Sequence, residues 1–341
     1  MRVLITGHNG YIGSVMAPYF ESCGHEVTGL DNDYFRSCTF GNDYDGIPSI
    51  RKDIRDVTIK DLLGFDAIVH LAALSNDPLG EMNPDLTYDI NHLASVRLAE
   101  RSKEAGVRYF LYSSSCSMYG AAGGGLVTEE APFHPITPYA ISKVRTENDV
   151  CKLAGGGFSP VFMRNATVYG VSPRFRADLV LNNLVCWAFT TGRIRILSDG
   201  TPWRPIVHVE DVSRAFAAVL EAPLGTVHNQ AFNVGVNSEN YQVRDIAAIV
   251  ETVVPGCTVE YAEGGGPDPR SYRVDFSKIS GILHGFRPKW DVRQGAEELH
   301  NAFRQFGLNP GDFQDGKYVR LAHLRSLISS GRIDEKFRWK N

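Results

Sequence analysis

The sequence predicts an α/β fold, a doubly wound parallel sheet with a smaller α/β lobe carried mainly by the second half of the chain. Three observations predict it. Short β-branched runs alternate with helical stretches through the first 170 residues, as in a parallel sheet covered on both faces. A glycine-rich turn joins the first strand to the first helix, and an aspartate closes the second strand. Past residue 170 the alternation weakens, and Pro173, Pro202, Pro205, Pro267, Pro269 and Pro288 punctuate a less regular half.

The elements follow in order. Residues 2–6 read as the first strand and the stretch to 23 as the first helix. Residues 26–30 form a second apolar run ending at Asp31. Further strands are expected at 67–71, 108–113 and 160–163, with helices at 91–105 and 138–154 between them. Glycine triplets at 123–125, 155–157 and 264–266 mark loops. The segment 309–341 carries leucine-type residues at helical spacing and a stop at Gly331; it is expected to pack on the smaller lobe. Residues 1–170, with 204–235 returning, are assigned to a nucleotide-binding domain. Residues 171–203 and 236–341 are assigned to the lobe.

Composition excludes several classes. The 341 residues are 43% hydrophobic and 22% charged, enough to bury a core without staples. Thirty-five basic against 39 acidic residues give −4, so a nucleic-acid partner is not expected. No run of eighteen apolar residues or secretory leader is visible, and the six cysteines lack a Cys-x-x-Cys pair. A reduced, cytoplasmic chain with no membrane partner and no metal site is the expectation.

Gly7-His-Asn9-Gly10-Tyr11-Ile12-Gly13 lies where a strand turns into a helix. Missing side chains let the backbone approach a diphosphate, which the helix N-terminus then stabilises. Asp31 follows Gly13 by eighteen residues; a carboxylate there binds ribose hydroxyls and repels a 2′-phosphate. Together they predict a Rossmann site for NAD rather than NADP, with Asn32 beside the ribose and Asp53-Ile54 flanking the adenine. Leu71-Ala72-Ala73 ends a strand with small residues suited to close approach, while His70 reads as a packed strand histidine. Asn91 and Ser113 complete the expected cofactor side.

Tyr139 and Lys143 stand four apart, hence on one face of the 138–154 helix. A nearby cation and an oxidised nicotinamide would lower the phenol pKa enough for acid–base work. Ser115 ends the preceding strand among hydroxyls. A lone Tyr-x-x-x-Lys pair is common on helices; beside the glycine turn and the serine strand end it points to chemistry.

On these motifs the chain, from residue 1 to about 295, resembles the extended short-chain dehydrogenase/reductases, in their nucleotide-sugar epimerase/dehydratase branch. The resemblance implies Tyr139 as acid/base, Lys143 as its electrostatic partner and ribose ligand, and Ser115 as the hydroxyl orienting the sugar. It further implies that Arg204 and Arg270, the latter in the loop with Asp268, bind the substrate diphosphate. Arginine forks suit that group because their planar donors pair with phosphate oxygens. Asn182-Asn183, Ser117 and Thr167 are expected on the sugar-nucleotide side. The family's 4,6-dehydratases carry Asp-Glu after the serine or threonine, where this chain has Cys116-Ser117, so dehydration is not expected. Cys116 is placed with the substrate-side residues, although a side chain there reads more as packing than as catalysis.

The resulting expectation is an NAD-dependent nucleoside-diphosphate-sugar epimerase inverting C4 through a transient 4-keto sugar. Two alternatives stay open: an NAD(P)H-dependent 4-ketoreductase of a nucleotide sugar, and a non-catalytic NAD-binding sensor or scaffold. The resemblance also implies a homodimer paired through the helices at 91–105 and 138–154.

Overall fold

The computed structural model describes residues 1–43, 46–120, 125–261, 271–314 and 316–340. Its main sheet has seven strands. In spatial order they are Gln230–Val234, Ser159–Asn165, Tyr109–Ser115, Ala67–His70, Arg2–Thr6, Glu26–Asp31 and Ser49–Arg51. Every neighbouring pair is parallel. The predicted strands are all present. That at 108–113 runs on to Ser115 and that at 160–163 to Asn165, because both continue pairing, Ser115 opposite Asn165.

Strand order reverses direction between Arg2–Thr6 and Ala67–His70, which opens a crevice at the carboxyl ends of the strands. The central strands are buried on both faces, Val3, Leu4 and Ile5 being fully enclosed, which explains their unbroken apolar runs. On one face Met16, Phe20, Val212 and Phe216 pack on the sheet; on the other lie Leu98, Phe110 and Phe158.

The predicted helix at 91–105 begins as a π-helical turn, Tyr88–Leu93, before the α-helix Ala94–Glu104. The helix at 138–154 is regular over Pro138–Val150 and tightens into a 3-10 turn. Its start follows local chemistry: Pro138 supplies the first turn, and the Thr137 hydroxyl accepts from the Ala140 amide at 3.2 Å.

A separate apolar cluster joins helices Val180–Thr191, Val243–Val253 and Val292–Phe306. Beside it a three-stranded sheet orders Asn240–Gln242, Trp203–His208 and Thr167–Tyr169. Among the described residues no helix is long and apolar enough to cross a membrane.

The segment beyond residue 309 departs from expectation. Phe313 and Tyr318 join the lobe's cluster, but helix Arg320–Ser329 does not. It buries Leu324 and Leu327 in the same cluster as Leu4, Leu30 and Ile68 of the main sheet. Trp339 then donates its indole N–H to the Asn32 carbonyl at 2.6 Å, and the Tyr34 hydroxyl donates to the Phe337 carbonyl. Helical spacing identifies the helix; it carries no information about which cluster receives its apolar face.

Candidate active site

The carboxyl ends of six sheet strands meet one cavity of about 860 Å³. Gly7, Gly10, Tyr11, Ile12 and Gly13 line it from the first strand's end, Asp31 and Asn32 from the second's. Leu71, Ala72 and Ala73 follow the next strand; Ser113, Ser115, Ser117, Asn165 and Thr167 line it further along. Tyr139 and Lys143 enter from their helix, while Arg204 and Asn183 enter from the lobe side.

The glycine turn is shaped to admit a ligand's backbone-hugging group. A Cβ on Gly13 would lie 2.3 Å from the Gly7 carbonyl oxygen, and one on Gly7, at φ +77°, 2.8 Å from the Ala72 amide nitrogen. The helix that follows has no side-chain cap and no acidic residue in its first turn, so its positive end is not internally neutralised. Asp31 accepts from the Asn9 amide at 3.0 Å and the Asp33 amide at 2.8 Å. Those bonds fix the carboxylate at the strand end. These residues fit a dinucleotide with a free ribose diol.

Further out, Asp53 caps the turn Ile54–Asp56 and pairs with Arg55 at 2.7 Å. Burial alone would raise its pKa, but the Arg55 guanidinium overrides this and holds the carboxyl below its usual range. Asp53 and Ile54 both line the cavity.

The hydroxyls and the ammonium form a connected group. Lys143 Nζ donates to the Ser113 carbonyl at 2.6 Å and lies 5.6 Å from the centre of the Tyr139 ring. The Ser115 hydroxyl donates to Ser117 Oγ at 2.9 Å, and Ser115 stands near enough to Tyr139 to favour the phenol's ionised form. Asn165 donates to Ser113 Oγ at 3.0 Å, while its buried carbonyl oxygen has no hydrogen-bond partner among the described residues.

Burial governs both titrating groups. It pushes Tyr139 up to about 12, against a lowering from Ser115 and Arg176. It pushes Lys143 down to about 7, against a raising from Glu147. In the chain by itself desolvation dominates the phenol, so the lowering expected from Lys143 and an oxidised nicotinamide together requires the second positive charge within the cavity.

Several expected residues stand elsewhere. Cys116 is fully buried in a 3-10 turn, its thiol donating to the Arg164 carbonyl at 3.1 Å, so it does not reach the substrate side. Asn182 is enclosed too, accepting from the Gly170 amide at 3.0 Å and donating to the Arg176 carbonyl at 2.8 Å; it braces the loop between them. Asn91 pairs with both backbone groups of Leu74 and shapes the cavity wall from behind. Asn9 turns its side chain to Asp33 at 2.7 Å and holds the Asp31 carboxylate through its backbone amide. His70 is packed between the Thr6 and Ser95 hydroxyls, 2.7 Å from each. Asp268 and Arg270 lie outside the described residues.

The sequence reading missed Arg176 and Asp178, which line the cavity as an ion pair at 2.9 Å. It also missed Asp77, which accepts from the Thr137 hydroxyl at 2.6 Å, and Val319, Arg320 and Leu321. The alternation of charge in Arg174-Phe-Arg176-Ala-Asp178 was the available signal for the first pair.

A Rossmann sheet, a glycine turn, a carboxylate at the end of the second strand and a buried Tyr–Lys–Ser group point to the class: a dinucleotide-dependent enzyme. The model of the NAD dependent epimerase/dehydratase family matches residues 3–235, and the chain belongs to that family. Its cofactor is NAD. Among curated relatives, the UDP-glucose 4-epimerase of Mycolicibacterium smegmatis is 29% identical over 318 residues, 89% of this chain and 99% of that protein. Among solved structures, MoeE5 in complex with UDP-glucuronic acid and NAD is 26% identical with a TM-score of 0.77, covering 89% of this chain and 99% of that one. The UDP-glucuronic acid 4-epimerase of Bacillus cereus, in complex with UDP-glucuronic acid and NAD, is 25% identical with a TM-score of 0.76 over the same shares.

Proposed function

We propose that this chain is an NAD-dependent nucleoside-diphosphate-sugar 4-epimerase. One observation carries the reading: Tyr139, Lys143 and Ser115 line the same cavity as the glycine turn and Asp31, so an acid/base stands where a dinucleotide is held. The similarity to 4-epimerases of UDP-sugars supports the position inverted and the nucleotide class.

Gly7, Gly10 and Gly13 hold the cofactor's diphosphate, Asp31 a ribose diol, and Lys143 the ribose beside the nicotinamide. When bound, NAD⁺ supplies a reversible hydride acceptor for C4 and a positive charge near the phenol. Ionised Tyr139 takes the proton of the sugar 4-hydroxyl, leaving a 4-keto sugar as C4 gives up its hydride. Ser115 donates to the same sugar oxygen and holds it at the phenol. Turning the keto sugar over presents its other face, and Tyr139 returns the proton as hydride returns to C4. Lys143 donates to the Ser113 carbonyl and stands 5.6 Å from the centre of the Tyr139 ring, where an ionised phenol favours its charged form. Arg204, Asn183 and Thr167 receive the nucleotide-sugar from the lobe side.

The test incubates purified chain with UDP-glucose, UDP-glucuronic acid and other nucleotide sugars without added cofactor. Interconversion of C4 epimers is expected, abolished in Tyr139→Phe with NAD still bound. Turnover only when NAD(P)H is supplied to a 4-keto sugar would replace this reading by a ketoreductase. Unchanged turnover in Tyr139→Phe would remove the tyrosine mechanism altogether.

The reading extends to a cytoplasmic homodimer. Its six free cysteines suit a reducing compartment. The exposed Leu93 at the head of helix Ala94–Glu104 suits pairing there and along Pro138–Val150. Light scattering at twice the chain mass, and monomers in Leu93→Glu, are the expected results.

A further inference from the structure

Arg320 combines burial, charge and an unmet donor in one place. It is 2% exposed, and its guanidinium lies 4.4 Å from the centre of the Phe35 ring. One terminal nitrogen, Nη2, donates to the Arg174 carbonyl at 2.6 Å. The other, Nη1, is buried without a hydrogen-bond partner among the described residues. Val319, Arg320 and Leu321 line the cavity that Gly10, Tyr11, Ile12 and Gly13 also line.

No carboxylate answers this cation among the described residues. Asp178, close enough to act on it electrostatically, is committed to Arg176 at 2.9 and 3.1 Å and to Asn76 at 2.6 Å. The neighbouring Arg174 has Asp43 at 2.7 Å. A guanidinium buried without a counterion is costly, and a bound anion removes that cost.

We propose that Arg320 is a ligand of the diphosphate of the bound dinucleotide, its unmet Nη1 presented to the cavity as the side chain turns from its enclosed position. The location selects that diphosphate over the sugar-nucleotide's. Phe35, on which Arg320 rests, follows Asp31 by four residues in the loop beyond the ribose carboxylate. The Arg174 segment that Arg320 holds is tied to the glycine turn, the Ser172 hydroxyl accepting from the Arg174 amide at 3.1 Å and donating to the Tyr11 carbonyl at 2.7 Å, whereas Arg204 approaches on strand Trp203–His208. Burial pushes Arg320 down to about 10, with Arg176 and Arg174 acting the same way, as expected of a cation awaiting an anion. The inference rests on the dinucleotide reading of the cavity.

The test compares dissociation constants for NAD⁺, ADP-ribose, adenosine and UDP, by calorimetry on the full chain, in wild type, Arg320→Gln and Arg320→Lys. Losing a charged hydrogen bond should weaken NAD⁺ and ADP-ribose about ten- to a hundredfold in Arg320→Gln, leaving adenosine and UDP unchanged. Arg320→Lys, which keeps the charge without the fork, should show a smaller loss on the same two ligands, and it carries the test alone if Arg320→Gln does not fold. Equal weakening of adenosine would reduce Arg320 to packing. Weakening of UDP would assign it to the substrate, and unchanged ADP-ribose binding in both variants would end the proposal. Failure of wild type to bind NAD⁺ would instead overturn the dinucleotide reading itself.

Discussion

Gly13→Ala puts the glycine turn to a quantitative test. The added Cβ would stand 2.3 Å from the Gly7 oxygen, 2.5 Å from His8 Cα and 2.8 Å from the His8 carbonyl carbon. All three are backbone atoms, so no side chain can swing aside. Reaching ordinary contact requires turn and helix to part by about 1 Å, an overpacking that costs about 1–3 kcal/mol. Alanine recovers about 0.8–1 kcal/mol of helix propensity, so the net loss of stability is small, about 1 kcal/mol. Binding is hit harder, because a displacement of about 1 Å in a positioning element is worth about a hundredfold. Calorimetry should therefore show NAD⁺ binding weakened by about one to two orders of magnitude, with only a slight fall in the urea midpoint. Gly225→Ala is the control: nothing lies within 4 Å of its Cβ. If Gly13→Ala binds NAD⁺ as the control does, close backbone approach is not what this turn provides.

Three further outcomes are expected. Because Lys143 sits at about 7 when folded against an ordinary 10.5, the unfolded chain binds more protons between those values, so stability without cofactor rises with pH through this window. From pH 7 to 8.5 that gain should be about 1.5 kcal/mol in urea melts, and Lys143→Met should remove it; an unaltered slope would show that the lysine is not desolvated. Glu147→Gln leaves the enclosed Arg164 charge without its carboxylate 2.7 Å away and should cost about 3–5 kcal/mol, read from the same melts, whereas a neutral effect would mean water reaches the pair. Deleting residues 332–341 removes Trp339 from Asn32 and Arg338 from Asp53 and Asp56, and should speed NAD release in stopped flow while leaving the Tyr139 end intact; an unchanged release rate would show that this segment does not cover the adenosine end.

What the sequence disclosed follows from range. The glycine turn, Asp31 and the Tyr139–Lys143 pair are legible because each is written in a few consecutive residues with a fixed helical or strand geometry. Ser115 is legible by its place at a strand end. Asn182 misleads because an amide can brace backbone as readily as bind ligand, and only the Gly170 loop folding onto it decides which. Cys116 misleads because the strand stops at Ser115, and the 3-10 turn that follows drives the thiol inward. Arg176 offered only the charge alternation with Asp178 as a signal, and Arg320 is illegible because its meaning comes from elements far away in the chain. No local pattern distinguishes a buried arginine from one of the many on the surface.

The contacts that lay residues 318–340 over the nucleotide half also bear on assembly order. Trp339 meets Asn32 across 307 positions, and His323 meets the Tyr34 carbonyl across 289. Closing loops of that size is slow compared with pairing adjacent strands and helices. The sheet and its glycine turn can thus be complete while the adenosine end still stands open. Refolding should accordingly pass through a stage in which dinucleotide exchanges freely, and tight retention should appear only as the indole of Trp339 docks.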